Sequence, residues 1–233
     1  MANQDQLDRL RAAIGEGSVE SWNRWREEQT EAIDLSMADL AGVELSGANL
    51  SEANLCQANL VGTNLVGCKL ERAALWQAIL VDADLLGSNL SEADLLGANL
   101  SSADLSHSRL CRANLWGANL SDANLSHADL SAANLSKANL VHANLQNSRL
   151  IGCRVYGVSI WDTQLEGAIQ ERLIISPEEQ IFEERETMIT VDNIETAQFI
   201  YLALHDRRVR EIIDSLTPND NLLNLLSEMV DQD

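Results

Sequence analysis

A strict five-residue period constrains this chain more than any other feature. From Ala32 onward the sequence settles into the frame ADLAG, VELSG, ANLSE, ANLCQ, ANLVG. A large apolar residue recurs at every fifth position from Leu35 to Leu165, 27 times without a break. Leu fills 25 of these centres; Val155 and Ile160 fill the others. Two residues before each centre stands a small side chain in 24 of the 27 units, the exceptions being Ile33, Val43 and Val158. An α-helix cannot use this spacing, because positions five apart are rotated by roughly 500° and the Leu residues would spiral around it. A single strand cannot use it either. Side chains alternate with period two, and five is odd, so successive Leu residues would point to opposite faces.

The pattern is satisfied if the chain turns a corner once per unit. Residues two apart then share the inside, and the other three face solvent. Four sides close a coil of 20 residues. Large Leu and small Ala interdigitate within each layer, as a dense core requires. The frame therefore predicts a β-solenoid whose core is built of columns such as Leu95, Leu115 and Leu135, with Ala93, Ala113 and Ala133 beside them. Coils stacked at strand spacing make a rod about 32 Å long.

Composition agrees with repetition rather than a mixed globular core. Apolar residues make up 45% of the 233, but aromatics only 4%, and there are two prolines. The formal net charge of −20 argues against direct binding of nucleic acid or an anionic membrane, since both need a basic face. No apolar run reaches the roughly 18 residues of a membrane span, and the polar start MANQDQLDRLRAAIGEG does not read as a secretory signal. The four cysteines form no CxxC pair, so a reducing cytoplasm is the expected location.

The tandem A(D/N)LXX units resemble the pentapeptide-repeat family from Ala32 to about Gly167. That resemblance implies a right-handed, quadrilateral parallel β-helix. It implies few functions: some members resemble DNA and bind gyrase, and many cyanobacterial members have no assigned role. The segment WNRWREEQ, 22–29, resembles the N-terminal leader of cyanobacterial members. The stretch ITVDNIETAQFIYLAL resembles a segment that joins such repeats to a TIR-like domain in larger cyanobacterial proteins.

Three regions follow: an N-terminal helical cap over 1–30, the β-helix over 31–167, and an acidic helical C-terminal segment over 168–233. Residues 4–28 read as two helices. Leu7, Leu10 and Ile14 form a stripe on the first, Gly15 and Gly17 break it, and Ser18 is positioned to N-cap the second. Val19, Trp22 and Trp25 share a face of the second, and Trp22 and Trp25 are expected to pack as part of the cap. Beyond Gly167, the stretch around Ile174–Ser176–Pro177 reads as a linker and residues 188–191 as a short strand. Asp192 or Asn193 can cap a helix carrying Ile194, Ala197, Phe199, Ile200 and Leu204. A second helix is expected around Val209–Leu216, and a third from Thr217–Pro218 through Met229.

A 20-residue coil lets the surface be read by column, since residue n lies against n + 20. Net charge is −2 over residues 1–30, −8 over 31–167 and −10 over 168–233, so half of the acidity lies off the solenoid. One face carries Asp39, Asp82, Asp122 and Asp162, and the next Glu44, Asp84, Asp104 and Glu166. A third carries the alternating ladder Glu52, Arg72, Glu92, Arg112, which reads as surface ion pairs of little individual worth. The fourth face is apolar: Cys56, Trp76, Leu96, Trp116 and Tyr156 stand one above another directly after the central Leu. Contiguous exposed apolar surface marks interaction sites, and Trp and Tyr are typical anchors. Three coverings are open for this face: the C-terminal helices, a partner or second copy of the chain, or none.

The sequence offers no constellation for catalysis. His107 and His127 share a column, but a zinc site needs three or four ligands and their column neighbours are Gly87 and Asn147. Cys68 and Cys153 occupy the small inward position; Cys56 and Cys111 point outward in different columns. No phosphate-binding loop is present, and no metal or cofactor is called for. The reading is a non-catalytic scaffold for an unknown protein partner, homo-oligomers included. Two alternatives are a DNA-mimicking gyrase binder and an adaptor related to repeat–TIR-like effector proteins.

Overall fold

The fold is described from a computed structural model over residues 2–29, 31–176, 189–209 and 211. Parallel bridges join each residue preceding a centre to the residue 20 positions on, from Asp34–Asn54 through Arg154–Ile174. Twenty residues therefore make one coil. The chain turns every five, as in Ala38 N–H to Leu35 O at 3.1 Å and Ala118 N–H to Leu115 O at 3.0 Å. Every turn has the same form. The residue two after each centre has positive φ at all 28 positions from Met37 to Arg172, and the residue before it does not. That is the signature of a type II turn, which favours glycine at this place. Glycine fills ten of the 28, and the other 18 side chains hold a left-handed backbone costing about 1 kcal/mol each. Ala132, exposed at φ 60°, is one of these. Ala132→Gly should raise stability by about 0.5–1 kcal/mol in urea denaturation, the relief of strain exceeding the added freedom of the unfolded chain.

The core is the expected one. Leu95, Leu115, Leu135, Ala93, Ala113 and Ala133 are all fully buried. Where the small inward residue is polar, its side chain turns back to the backbone. Thr63 Oγ1 donates to Leu40 O at 2.7 Å, and Ser108 Oγ to Leu105 O at 2.6 Å. The Cys68 and Cys153 thiols point at Leu45 O and Leu130 O in the same way. Burial pushes both thiols up to about 12, so they are inert core residues.

The Asn and Asp residues before each centre also have a structural task. Their side-chain oxygen accepts the N–H two residues on, as in Cys56 to Asn54 at 3.1 Å and Trp116 to Asn114 at 3.3 Å. This is the Asx turn that leads the chain into its corner. Their amides reach the neighbouring coil, as Asn54 Nδ2 does to Asp34 Oδ1 at 3.1 Å.

At the N-terminal end lie α1 (Gln4–Gly15) and α2 (Glu20–Glu28). Val19 holds the N-cap position of α2, and the Ser18 hydroxyl accepts the Glu20 N–H at 3.1 Å. Trp22 is fully buried and its Nε1 donates to Asn49 O at 3.0 Å; Trp25 lies 5.0 Å from it, beneath Arg9. Two side-chain amides stand in for the coil that would come before the first. Gln6 donates to Ala32 O at 3.2 Å and accepts from Asp34 N–H at 2.7 Å. Asn23 donates to Gly47 O at 2.9 Å and accepts from Asn49 N–H at 2.7 Å.

The far end departs from expectation. The ladder continues past Gly167 to Ile169 and Ile174, so the expected linker begins as part of the solenoid. The reason is that Leu173 and Ile175 keep the inward spacing and are buried. Leu173–Ile174 form β1, which pairs antiparallel with β2, Thr190–Val191. α3 (Ile194–His205) follows, capped by the Asn193 side chain on the Thr196 N–H. Gln170, a polar residue at a centre position, accepts the Ile194 N–H at 2.8 Å, and Gln198 accepts the Ile160 N–H at 2.7 Å. The expected helices carrying Ile212, Ile213 and Leu216, and Leu222, Leu225, Leu226 and Met229, lie outside the described residues.

Candidate interaction face

Coil stacking places Cys56, Trp76, Leu96, Trp116 and Tyr156 in one column, since each follows a bridged position one or two coils from the next. Trp76 is 39% exposed; Cys56, Leu96, Trp116 and Tyr156 are half-buried, and Ser136 between the last two is buried. Leu96, Ala113 and Trp116 form part of a groove of about 400 Å³ whose other lining residues include Arg112, Asn114, Asn134 and Arg154. The Lys137 ammonium sits 5.0 Å from the Trp116 ring centroid. Lys137 thus lies over one tryptophan, and Arg112 and Arg154 line the same groove, on a chain of net charge −20. By column, Arg112 belongs to the neighbouring ladder. It stands at a corner, and its side chain belongs to both faces: it lines the groove and holds Glu92 at 3.5 Å.

α3 meets the column at Tyr156. The Tyr201 ring is edge-on to Tyr156 at 5.1 Å, and the Tyr156 hydroxyl lies 3.0 Å from His205 Nε2. A Cβ on Gly157 would meet Tyr201 at 3.2 Å, so glycine there permits the close approach.

On the ladder face Arg72 pairs with Glu52 and Arg112 with Glu92, with side chains about half exposed or more. Such pairs add little stability. Asp129, beside them, would be raised by burial, but hydrogen bonds from the Ser131 hydroxyl and N–H outweigh it and hold its carboxyl below the usual range. Burial, reinforced by Asp129, raises the Cys111 thiol. His107 and His127 stack at 4.7 Å. Among the described residues no three His, Cys, Asp or Glu side chains gather as a metal site would require.

Column reasoning from the apolar face missed two features. His142 stands between Asp122 (3.3 Å) and Asp162 (4.0 Å), interrupting the acidic column. Trp161 is 61% exposed and lines a groove of about 280 Å³ against α3, with Phe199 and Leu202. The 20-residue column arithmetic could have located both.

Pentapeptide-repeat models match this chain in eight copies spanning residues 33–169. The chain belongs to the pentapeptide-repeat family. Its fold is accordingly that of the repeat β-helix, and members of this family are generally structural or interaction proteins. Among solved structures it is similar to a pentapeptide repeat protein from the Arabidopsis thaliana thylakoid lumen, at 32% identity over 42% of this chain and 68% of that one, TM-score 0.41. It is similar to HetL of Nostoc sp. strain PCC 7120, involved in heterocyst differentiation regulation, at 28% identity over 61% and 85%, TM-score 0.22. It is similar to QnrB1, a plasmid-mediated fluoroquinolone resistance protein, at 22% identity over 59% and 69%, TM-score 0.37. The comparison with curated proteins gave no match. No helix among the described residues is long and apolar enough to cross a membrane.

Proposed function

We propose that this pentapeptide-repeat chain is a non-catalytic scaffold: a right-handed quadrilateral rod, closed by helices at both ends, that binds a protein partner through its apolar face. The observation that carries the reading is the stack Trp76, Leu96, Trp116 with Arg112, Arg154 and Lys137 around it. Trp and Arg are the side chains that anchor protein interfaces, because they bury large area and still satisfy polar groups. A second copy of the chain is a partner of the same class. The four free cysteines, two of them fully buried, fit a reducing cytoplasm.

The DNA-mimicking alternative receives less support, because Ser102 and His142 break the column of Asp82, Asp122 and Asp162. The adaptor alternative rests on the stretch that forms β2 and α3, which here close the last coil.

The test is affinity capture from an extract of the source organism. The unmodified chain should enrich a discrete protein, and Trp76→Ser with Trp116→Ser should reduce its recovery at least tenfold while the melting temperature stays within a few degrees. Arg72→Ala on the ladder face should leave recovery unchanged. Recovery indifferent to the two Trp substitutions would defeat the proposal.

A further inference from the structure

We propose that this face also receives a second copy of the chain, docked antiparallel, with the Glu52–Arg72–Glu92–Arg112 ladder laid on the same ladder of the other copy. The inference rests on the reading of that face as a contact surface and names an occupant for it. One flat side of the coil joins the ladder to the aromatic corner: Arg112 and Trp116 line the same groove, with Ala113 and Asn114 between them. Bridges stack Asn54, Ala74, Asp94 and Asn114 in register, so four coils repeat this side. The ladder runs along one of its corners, and Cys56, Trp76, Leu96 and Trp116 run along the other.

Two such sides can meet about a two-fold axis in two ways. An axis along the rod keeps the copies parallel and lays each ladder on the other's aromatic corner. An axis across the rod makes them antiparallel and lays ladder on ladder. The charge order decides between them. Glu, Arg, Glu, Arg read backwards is Arg, Glu, Arg, Glu, so in the antiparallel arrangement every charge meets its opposite. Glu52 faces Arg112 of the second copy and Arg72 faces its Glu92, and the symmetry makes each contact twice. A slip of one coil either way sets Arg against Arg and Glu against Glu, and like charges directly opposite are destabilising. The ladder is bounded by Ala32 and Ala132, which face each other in the same register.

That register also serves the aromatic corner. Trp76 faces Leu96 of the second copy, and Trp116 faces its Cys56; on the flat side between, Asp94 faces Ala74, so no two acids meet. Within one copy Arg72 already holds Glu52, and Arg112 holds Glu92 at 3.5 Å, with all four side chains about half exposed or more. Docking joins these separate pairs into a network. The apolar groups supply the affinity, since exposed ion pairs are individually weak, and the ladder sets direction and register. Four coils are only about 19 Å tall at strand spacing, and the contact falls short of the about 800 Å² per partner that a stable complex buries. The pairing is therefore weak, and the chain is monomeric at the low concentrations of a capture experiment. A different protein seated on the aromatic corner does not need the ladder.

The experiment is a charge swap on the full chain, read by sedimentation equilibrium up to high micromolar protein in about 0.15 M salt, where long-range repulsion between acidic chains is screened. One variant carries Arg72→Glu with Arg112→Glu, and the other Glu52→Arg with Glu92→Arg. All four positions hold positive φ, and Glu and Arg each already occupy two of them, so the exchange keeps the fold and the melting temperature. The unmodified chain should form dimers at the upper concentrations. Each variant alone should associate at least tenfold more weakly, and an equimolar mixture of the two should recover the dimer. Trp76→Ser with Trp116→Ser should abolish it. A chain that stays monomeric throughout would overturn the proposal. So would dimers that persist in both ladder variants, or a mixture that fails to recover them. A monomeric chain that still captures a different protein through the two Trp residues would sink this inference and leave the scaffold reading standing. Recovery on mixing, with no other protein captured through the face, would do the opposite.

Discussion

Leu115→Asp is expected to unfold the coils around residue 115 rather than merely loosen them. Leu115 is fully buried in a column of Leu residues with Ala113 beside it. Removing it forfeits about 2–3 kcal/mol of burial, and an aspartate in its place must either carry a charge in a dry core or be protonated there, at a further cost of several kcal/mol. The sum, on the order of 5 kcal/mol or more, matches the whole stability of many domains. Coils stabilise their neighbours, so the loss spreads along the stack. Circular dichroism should show a broad loss of cooperative melting, whereas Leu115→Ala should cost about 3–5 kcal/mol and keep a single transition. An unchanged melting curve for Leu115→Asp would mean that this side chain does not face the core.

The second large effect belongs to the N-terminal end. Gln6 and Asn23 each offer one donor and one acceptor to the first coil, as a preceding coil would. Gln6→Leu with Asn23→Leu should leave the Asp34 and Asn49 N–H groups and the Ala32 and Gly47 carbonyls without these partners. Unmade bonds at partly buried groups cost about 1–3 kcal/mol each, moderated here by water at the rim. A loss of about 2–4 kcal/mol in urea denaturation is expected. A bare coil edge is also a template for pairing with another chain, so sedimentation should show concentration-dependent association absent from the unmodified chain. Equal stability and equal sedimentation would show that the two amides are dispensable.

These two predictions mark what was and was not legible in the sequence. The core was legible because it is periodic. The same spacing repeats 27 times, so no single ambiguous residue matters, and the placing of Leu115 needed only arithmetic. The N-terminal end was legible as a helical cap and the C-terminal end as helices, but the groups that close the coils were not. The groups that close the coil are individual polar side chains imitating a backbone, and Gln6, Asn23, Gln170 and Gln198 carry no period to announce them. The end of the solenoid was misplaced for the same reason. Gln170 breaks the apolar pattern at a centre, yet Leu173 and Ile175 resume it. The apolar column could be read from residue numbers, but not its cationic rim, because a corner residue such as Arg112 serves two faces and only the side-chain path shows which.

The Trp76–Trp116 face is proposed as the place where this chain meets other protein. Hydroxyl-radical footprinting of the chain in complex with its captured partner, resolved by residue, tests it most directly. Trp76, Leu96 and Trp116 should become at least fivefold less reactive in the complex than in the free chain, while Trp161, which is 61% exposed at the far end, and the Glu52–Arg72 ladder stay as reactive as in the free chain. Protection confined to the acidic columns around Asp82 and Asp122, with Trp76 and Trp116 oxidised freely, would contradict it.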